Sequence, residues 1–222
     1  MIREKRIATA LRLCALLCMP AVASLPAIAQ AQTWQTWYLD PAHSAAQFSV
    51  RHLGISTVRG TFTKVNGVVQ DSPSDLSKDS VDVTIDASSV DSRVEMRDND
   101  LRSERFFDVA KYPTITFKST RVESAGAGKL KVTGDLTIRG VTKSVVLDVD
   151  GPTAPFKDPR GSSHRGVSAT TTVSRADFGM TALPGMVGDQ AVLQLDVELV
   201  DRAPGPPPPG KGAPTPPPPP AQ

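Results

Sequence analysis

Three histidines and one dense run of charges are the residues of this chain best suited to chemistry. The first histidine lies in Asp40-Pro41-Ala42-His43-Ser44, a string holding an acid, a base and a hydroxyl nucleophile. A proton relay through such groups needs side chains that converge, and neighbours on one short segment rarely share that orientation. The string therefore reads as a turn ahead of a strand, with Asp40 and His43 making local hydrogen bonds. His52 shares a face with Phe48 and Val50, which turns it inward. It is either satisfied by a polar neighbour or placed to touch a ligand's head group. No second histidine lies at metal-ligand spacing on that strand, and His164 stands far away in sequence. Arg97, Asp98, Asp100, Arg102, Glu104 and Arg105 form a mixed-charge run beside Phe106-Phe107. That run is either solvated surface or a lid with its phenylalanines turned in and its charges outside. Neither a phosphate-cradling glycine spacing nor a paired histidine–glutamate zinc string occurs. No acid–base pair stands out, so the expectation is a protein that is not an enzyme and has no cofactor and no metal.

The ends of the chain are not fold. Arg3, Lys5 and Arg6 precede a mostly apolar run from Leu13 to Ile28, and Ala27-Ile28-Ala29 is a small-x-small string. Residues 1–29 thus read as a cleavable secretory signal, with Ala29-Gln30-Ala31 an equally good cleavage string. Both cysteines, Cys14 and Cys18, lie inside it. The exported chain is therefore expected to carry no disulfide, thiolate metal site or cysteine nucleophile. Eleven of the last twenty residues, 203–222, are proline. Proline fixes φ and donates no backbone hydrogen bond, so 202–222 reads as an extended or disordered tail. It is a solvated spacer or a docking segment for a protein or the cell wall. Removing the signal takes away four of 25 basic and one of 23 acidic residues, and net charge passes from +2 to −1. That balance offers nothing to nucleic acid, whose binding rests on concentrated cationic charge.

About 170 residues, 33–201, are left for one domain. Their dominant pattern has period two. Phe48 and Val50, then Val81, Val83 and Ile85, then Ile115 and Phe117 alternate with polar residues. The same holds for Leu130 to Ile138, Val145 to Val149, Val167 to Val173 and Leu193 to Leu199, and an eighth segment spans Thr57 to Val69. Side chains on a strand point to opposite faces in turn, so each segment has one apolar and one wet face. Helical pattern is scarce, with one candidate between Val94 and Phe107. The fold is therefore all-β and antiparallel, a sandwich or a closed barrel. Gly128 to Arg139 would span roughly 40 Å at about 3.3 Å per residue, and long tilted strands suit a barrel of about eight. Small inward residues, Ala46, Gly60, Gly134, Ala169 and Thr171, suggest a lumen that is only partly filled. The inward set predicted to line it is Phe48, Val50, His52, Phe62, Val83, Ile85, Phe106, Phe107, Phe117, Leu136, Ile138, Val145 and Leu147, with Phe106 and Phe107 near the mouth.

Whole phrases within these strands are also recognisable. They are Tyr38-Leu39-Asp40-Pro41-Ala42-His43-Ser44, the run from Phe48 to Phe62, Arg97 to Ser103, Phe106 to Val109, Tyr112 to Ser119, Gly134 to Lys143 and Arg175 to Gly179. Together, in this order over about 38–200, they resemble the YceI-like family. The resemblance implies a lipocalin-like, eight-stranded antiparallel barrel with one or two short helices, located in the bacterial periplasm. It also implies a long-chain amphiphile inside the barrel: a polyisoprenoid, a quinone-like molecule or a fatty-acid amide. Some members of the family pair as dimers, though no interface is legible here. Asp100 departs from the pattern, since members often carry histidine there. The proline tail lies outside the pattern and supports a second reading, a non-catalytic barrel that displays the tail to a protein or cell-wall partner.

Overall fold

The computed structural model describes residues 34–202. The signal read over 1–29 and the tail read over 202–222, Arg202 apart, lie outside the described residues. The described residues form twelve strands, which include every period-two segment. They are β1 (Gln35–Leu39), β2 (Ala45–His52), β3 (Ser56–Phe62), β4 (Val65–Asp71), β5 (Ser80–Asp86) and β6 (Val90–Asp91), then β7 (Thr114–Ser124), β8 (Lys129–Ile138), β9 (Val141–Asp150), β10 (Phe156–Lys157), β11 (Ser163–Ser174) and β12 (Val187–Val200). One α-helix, α1 (Glu95–Arg102), follows β6.

Pairing reduces twelve strands to eight staves. One edge of β12 pairs with β11 along almost its whole length. The other edge pairs with β1 at Tyr38 and Leu39 and with β2 from Ala45 to His52, so β1 and β2 are one stave broken at residues 40–44. β3 and β4 pair with β2 and β1 respectively and form the next stave, broken at Thr63 and Lys64. β5 and β6 make the third. β7, β8 and β9 follow in turn, and β9 returns to β11 through Ser168, Ala169 and Thr170. Every neighbour is antiparallel and the ring closes, which leaves a barrel without a free edge. The short β10 extends the β9 side of β11.

The alternation expected over Leu130 to Ile138 holds: Val132, Leu136 and Ile138 are buried while Lys131 and Asp135 face out. Two details differ from expectation. Thr57 to Val69 is two strands, because the chain breaks where Lys64 turns out to meet Asp86. β1 was not anticipated, since five residues with Trp37 and Leu39 alternating are too short to stand out.

Two inward glycines are seats for rings, not openings in the lumen. A Cβ on Gly134 would lie 2.5 Å from Phe117 Cζ and 2.6 Å from the Lys118 carbonyl oxygen. One on Gly60 would lie 2.5 Å from Phe48 Cζ. The Lys118 carbonyl is backbone and cannot swing aside, so Gly134→Val is expected to cost about 1–3 kcal/mol by overpacking. A urea melt with an unchanged m-value and a lower midpoint would show it; an unchanged midpoint would mean that the ring has room to move.

Candidate ligand-binding lumen

The barrel encloses a cavity of about 560 Å³. That is within the range of about 300–1,000 Å³ usual for small-molecule sites. All thirteen residues of the predicted inward set, from Phe48 to Leu147, lie on its wall. Of the small residues expected there, Ala46 and Ala169 do line it, whereas Gly60, Gly134 and Thr171 do not. The wall also has residues outside the predicted inward set, among them Trp37 and Leu39 of the unforeseen β1, Val69 of β4 and Leu76 in the turn that follows it. Phe48, Phe62 and Phe107 form one aromatic cluster, with centroids 5.8, 6.3 and 5.4 Å apart in its three pairs. The charged wall residues sit at the barrel's ends. Arg97, Asp100 and Arg175 belong to the end where α1 lies, and Asp71, Asp79 and Arg165 to the other.

At the helix end the mixed-charge run is neither solvated surface nor a lid with every charge outside. Phe106 and Phe107 are buried and on the wall, as a lid requires. Asp98, however, is buried too. Its Oδ1 accepts the Ser92 amide at 2.8 Å and the Ser92 hydroxyl. Arg97 grips the same residue, donating to Ser92 Oγ at 2.7 Å and to its carbonyl at 2.6 Å. Arg102 ties the helix back through the Ser88 and Val90 carbonyls, and Arg139 holds the Phe106 carbonyl at 2.8 Å. These charges are used because α1 has no side-chain cap at Val94 and must be fastened otherwise. Glu104 and Arg105 do face solvent. Asp98→Ala would orphan the buried Ser92 amide at about 1–3 kcal/mol. Amide exchange across 92–107 should quicken while the strands keep their protection; unchanged exchange there would show that Asp98 does not hold the helix.

His52 lines the helix end of the cavity, as its face predicted. Arg175 is buried, and its guanidinium donates to the carbonyls of Gly188, Met180 and Val187, so it pins the entry of β12. At the far end the Arg165 guanidinium lies 5.1 Å from the Trp37 ring centroid and donates to Asp71 Oδ2 at 2.8 Å. Arg165 Nε and Trp37 Nε1 are, among the described residues, the buried side-chain nitrogens without a hydrogen-bond acceptor. Burial pushes the nearby Asp79 carboxyl up, and the charges of Asp71 and Asp75 add to this against the Ser72 amide.

The Asp40–Ser44 string is a turn. Asp40 Oδ1 accepts the Ala42 amide at 2.8 Å, and Oδ2 lies 2.9 Å from His43 Nδ1. The Ser44 hydroxyl is engaged by Glu198, whose amide donates to Oγ at 3.2 Å. The acid meets the base, but the serine points to the β12 backbone. His164 stands alongside, with Nδ1 2.7 Å from Glu198 Oε1 and Nε2 3.2 Å from Asp158 Oδ2. Hydrogen bonds to Asp40 and to Glu198 hold the His43 and His164 imidazoles above the usual histidine range. The sequence reading missed this grouping, because Ser44 and Glu198 are 154 positions apart.

A closed antiparallel barrel of eight staves with an apolar lumen defines the lipocalin-like class of binding barrels. Within it, the chain belongs to the YceI-like family, whose YceI-like domain matches residues 37–199. A UPF0312 protein of Vibrio cholerae is 38% identical over 167 residues, 74% of this chain and 86% of the relative. The solved YceI protein of Campylobacter jejuni is 33% identical, with a TM-score of 0.59 over 68% of this chain and 90% of that one. A polyisoprenoid binding domain from Saccharophagus degradans shares the fold at 16% identity, with a TM-score of 0.56 over 74% of this chain and 98% of that one.

Proposed function

We propose that this protein is exported to the periplasm and carries or sequesters a long-chain amphiphile, an isoprenoid or a fatty chain, in its barrel. The observation that carries the reading is the cavity: an apolar passage of about 560 Å³ with charged groups at its two ends and hydrocarbon between. That gradient matches a molecule with a long apolar body and a polar tip. The polyisoprenoid binding domain that shares the fold supports the same ligand class. Removing a methylene from water is worth about 0.8 kcal/mol, so ten to fifteen of them supply roughly 8–12 kcal/mol. Association costs about 4 kcal/mol or more, which leaves up to about 4–8 kcal/mol, near-millimolar binding for ten methylenes and near-micromolar for fifteen. The unpartnered nitrogens of Trp37 and Arg165 favour a head group that accepts hydrogen bonds at the far end.

A series of saturated fatty amides or prenols of increasing length, titrated against a fluorescent probe in the lumen, tests this. Each two carbons lost should weaken binding roughly tenfold to fifteenfold until the chain no longer fills the cavity. Affinity that ignores chain length, or no binding across the series, would overturn the proposal.

A further inference from the structure

We propose that the outer wall of the barrel carries a binding site for one divalent transition-metal ion of the zinc class, with Asp40, His43 and Glu198 as ligands. A ring nitrogen of His43 and one carboxylate oxygen each of Asp40 and Glu198 all lie within 4.8 Å of one another. In a zinc tetrahedron with bonds of about 2.1 Å, ligand atoms stand about 3.4 Å apart, so changes of no more than about 1.4 Å in these separations form the set. His43 Nδ1 and Asp40 Oδ2 are hydrogen-bonded at 2.9 Å and would part by about 0.5 Å, giving up the shared proton, to hold an ion between them.

The backbone holds the three ligands in place before any ion arrives. The Asp40 amide donates to the Glu198 carbonyl at 2.9 Å, and Ser44 Oγ accepts the Glu198 amide. The break between β1 and β2 is thus wrapped around residue 198 of β12. Glu198 faces outward while Val197 and Leu199 on either side line the lumen, so the site is separate from the ligand cavity.

The ligands also have partners behind them. The Ala42 amide orients the Asp40 carboxylate through Oδ1. His164 Nδ1 holds Glu198 Oε1 at 2.7 Å, and Asp158 Oδ2 holds the other nitrogen of the same ring. Metal ligands are commonly oriented by such outer partners, whose loss weakens affinity about 10–100-fold. The side chain of His43 is 64% exposed, which leaves the remaining coordination positions to water.

The donor chemistry selects the ion. Two carboxylates and one neutral imidazole carry two negative charges, which a divalent cation cancels. Calcium takes six to eight oxygen ligands and magnesium a near-octahedral shell of oxygens, whereas an imidazole among carboxylates suits zinc and its first-row neighbours. Bound there, the ion would tie the β1–β2 break to β12.

The test is titration of zinc chloride into the untagged, chelator-treated chain by calorimetry. The expected result is one ion per chain at micromolar or tighter affinity, undiminished by excess magnesium or calcium. Zinc should also raise the melting temperature. His43→Ala and Glu198→Gln should each weaken zinc binding at least tenfold and abolish the melting shift, and His164→Gln should weaken it about 10–100-fold. Melting of the zinc-free variants shows that the barrel is intact, and cobalt absorption in the wild type reports the ligand field directly. Absence of zinc uptake by the wild type, or wild-type affinity in folded His43→Ala, overturns the proposal.

Discussion

Replacing Ala169 with phenylalanine should expel the ligand from the lumen and leave the barrel standing. Ala169 is buried in the middle of β11, paired with Leu195 on one side and Val149 on the other, and its side chain forms part of the cavity wall. A ring placed there occupies space that a bound chain would fill. Excluding four methylenes corresponds to about 3 kcal/mol, roughly a two-hundredfold loss of affinity. Filling an apolar cavity commonly stabilises a fold by about 0.5–2 kcal/mol. The variant is therefore expected to melt at or above the wild-type temperature while binding long chains hundreds of times more weakly. Equal affinity in the two proteins would place the ligand somewhere other than the lumen.

The second large effect comes from a neighbouring pair on β8. Leu136 is buried on the cavity wall, and Asp135 faces out opposite Ser144 and Lys118. Leu136→Asp puts a carboxylate among Phe117 and the wall aliphatics with no partner, a penalty that exceeds about 4 kcal/mol and rivals the whole stability of a domain. Asp135→Leu changes an exposed position and should stay within about 0.5 kcal/mol of the wild type. Circular dichroism melts of the pair distinguish the two faces. A folded Leu136→Asp beside an unfolded Asp135→Leu would mean that the strand is read back to front.

Much of this barrel is legible in the alternation because a closed barrel sorts residues by one rule only, inside or outside. Leu130 to Ile138 obeys that rule without interruption, and so do Leu193 to Leu199. All thirteen predicted inward residues reach the cavity wall for that reason. The rule falters where local geometry matters more than facing. Gly60 and Gly134 count as inward by phase, but each lies beneath an aromatic ring from the next strand and yields no space. The charges of 97–105 read equally as a solvated face or as the outside of a lid because their partners, the Ser92 amide, hydroxyl and carbonyl, are backbone groups or a residue of no distinctive type. The cluster around Glu198 is invisible along the chain, since Asp40, Asp158, His164 and Glu198 meet only once β1, β11 and β12 are side by side. Periodicity reports which face a residue takes; it does not report which distant residue faces it.

The two parts of the molecule best placed to recognise something are thus of different kinds. The lumen is a continuous apolar surface assembled from many interchangeable aliphatics, so single conservative changes in it, such as Val145→Ile, should shift affinity little. The helix end depends on a few irreplaceable contacts, Asp98 to Ser92 and Arg139 to the Phe106 carbonyl. Loosening them frees the segment carrying Phe106 and Phe107 from its place on the cavity wall. Variants at that end should therefore alter the rate of ligand exchange more than the equilibrium affinity, a difference that stopped-flow displacement would resolve.

Native mass spectrometry of the full chain, purified without detergent from the cells that make it, addresses the lumen most directly. A chain amphiphile in the barrel should appear as a discrete added mass that is released on denaturation and is missing from Ala169→Phe. A protein that emerges uniformly empty, and that also refuses added prenols and fatty amides, would contradict a lipid-carrying lumen.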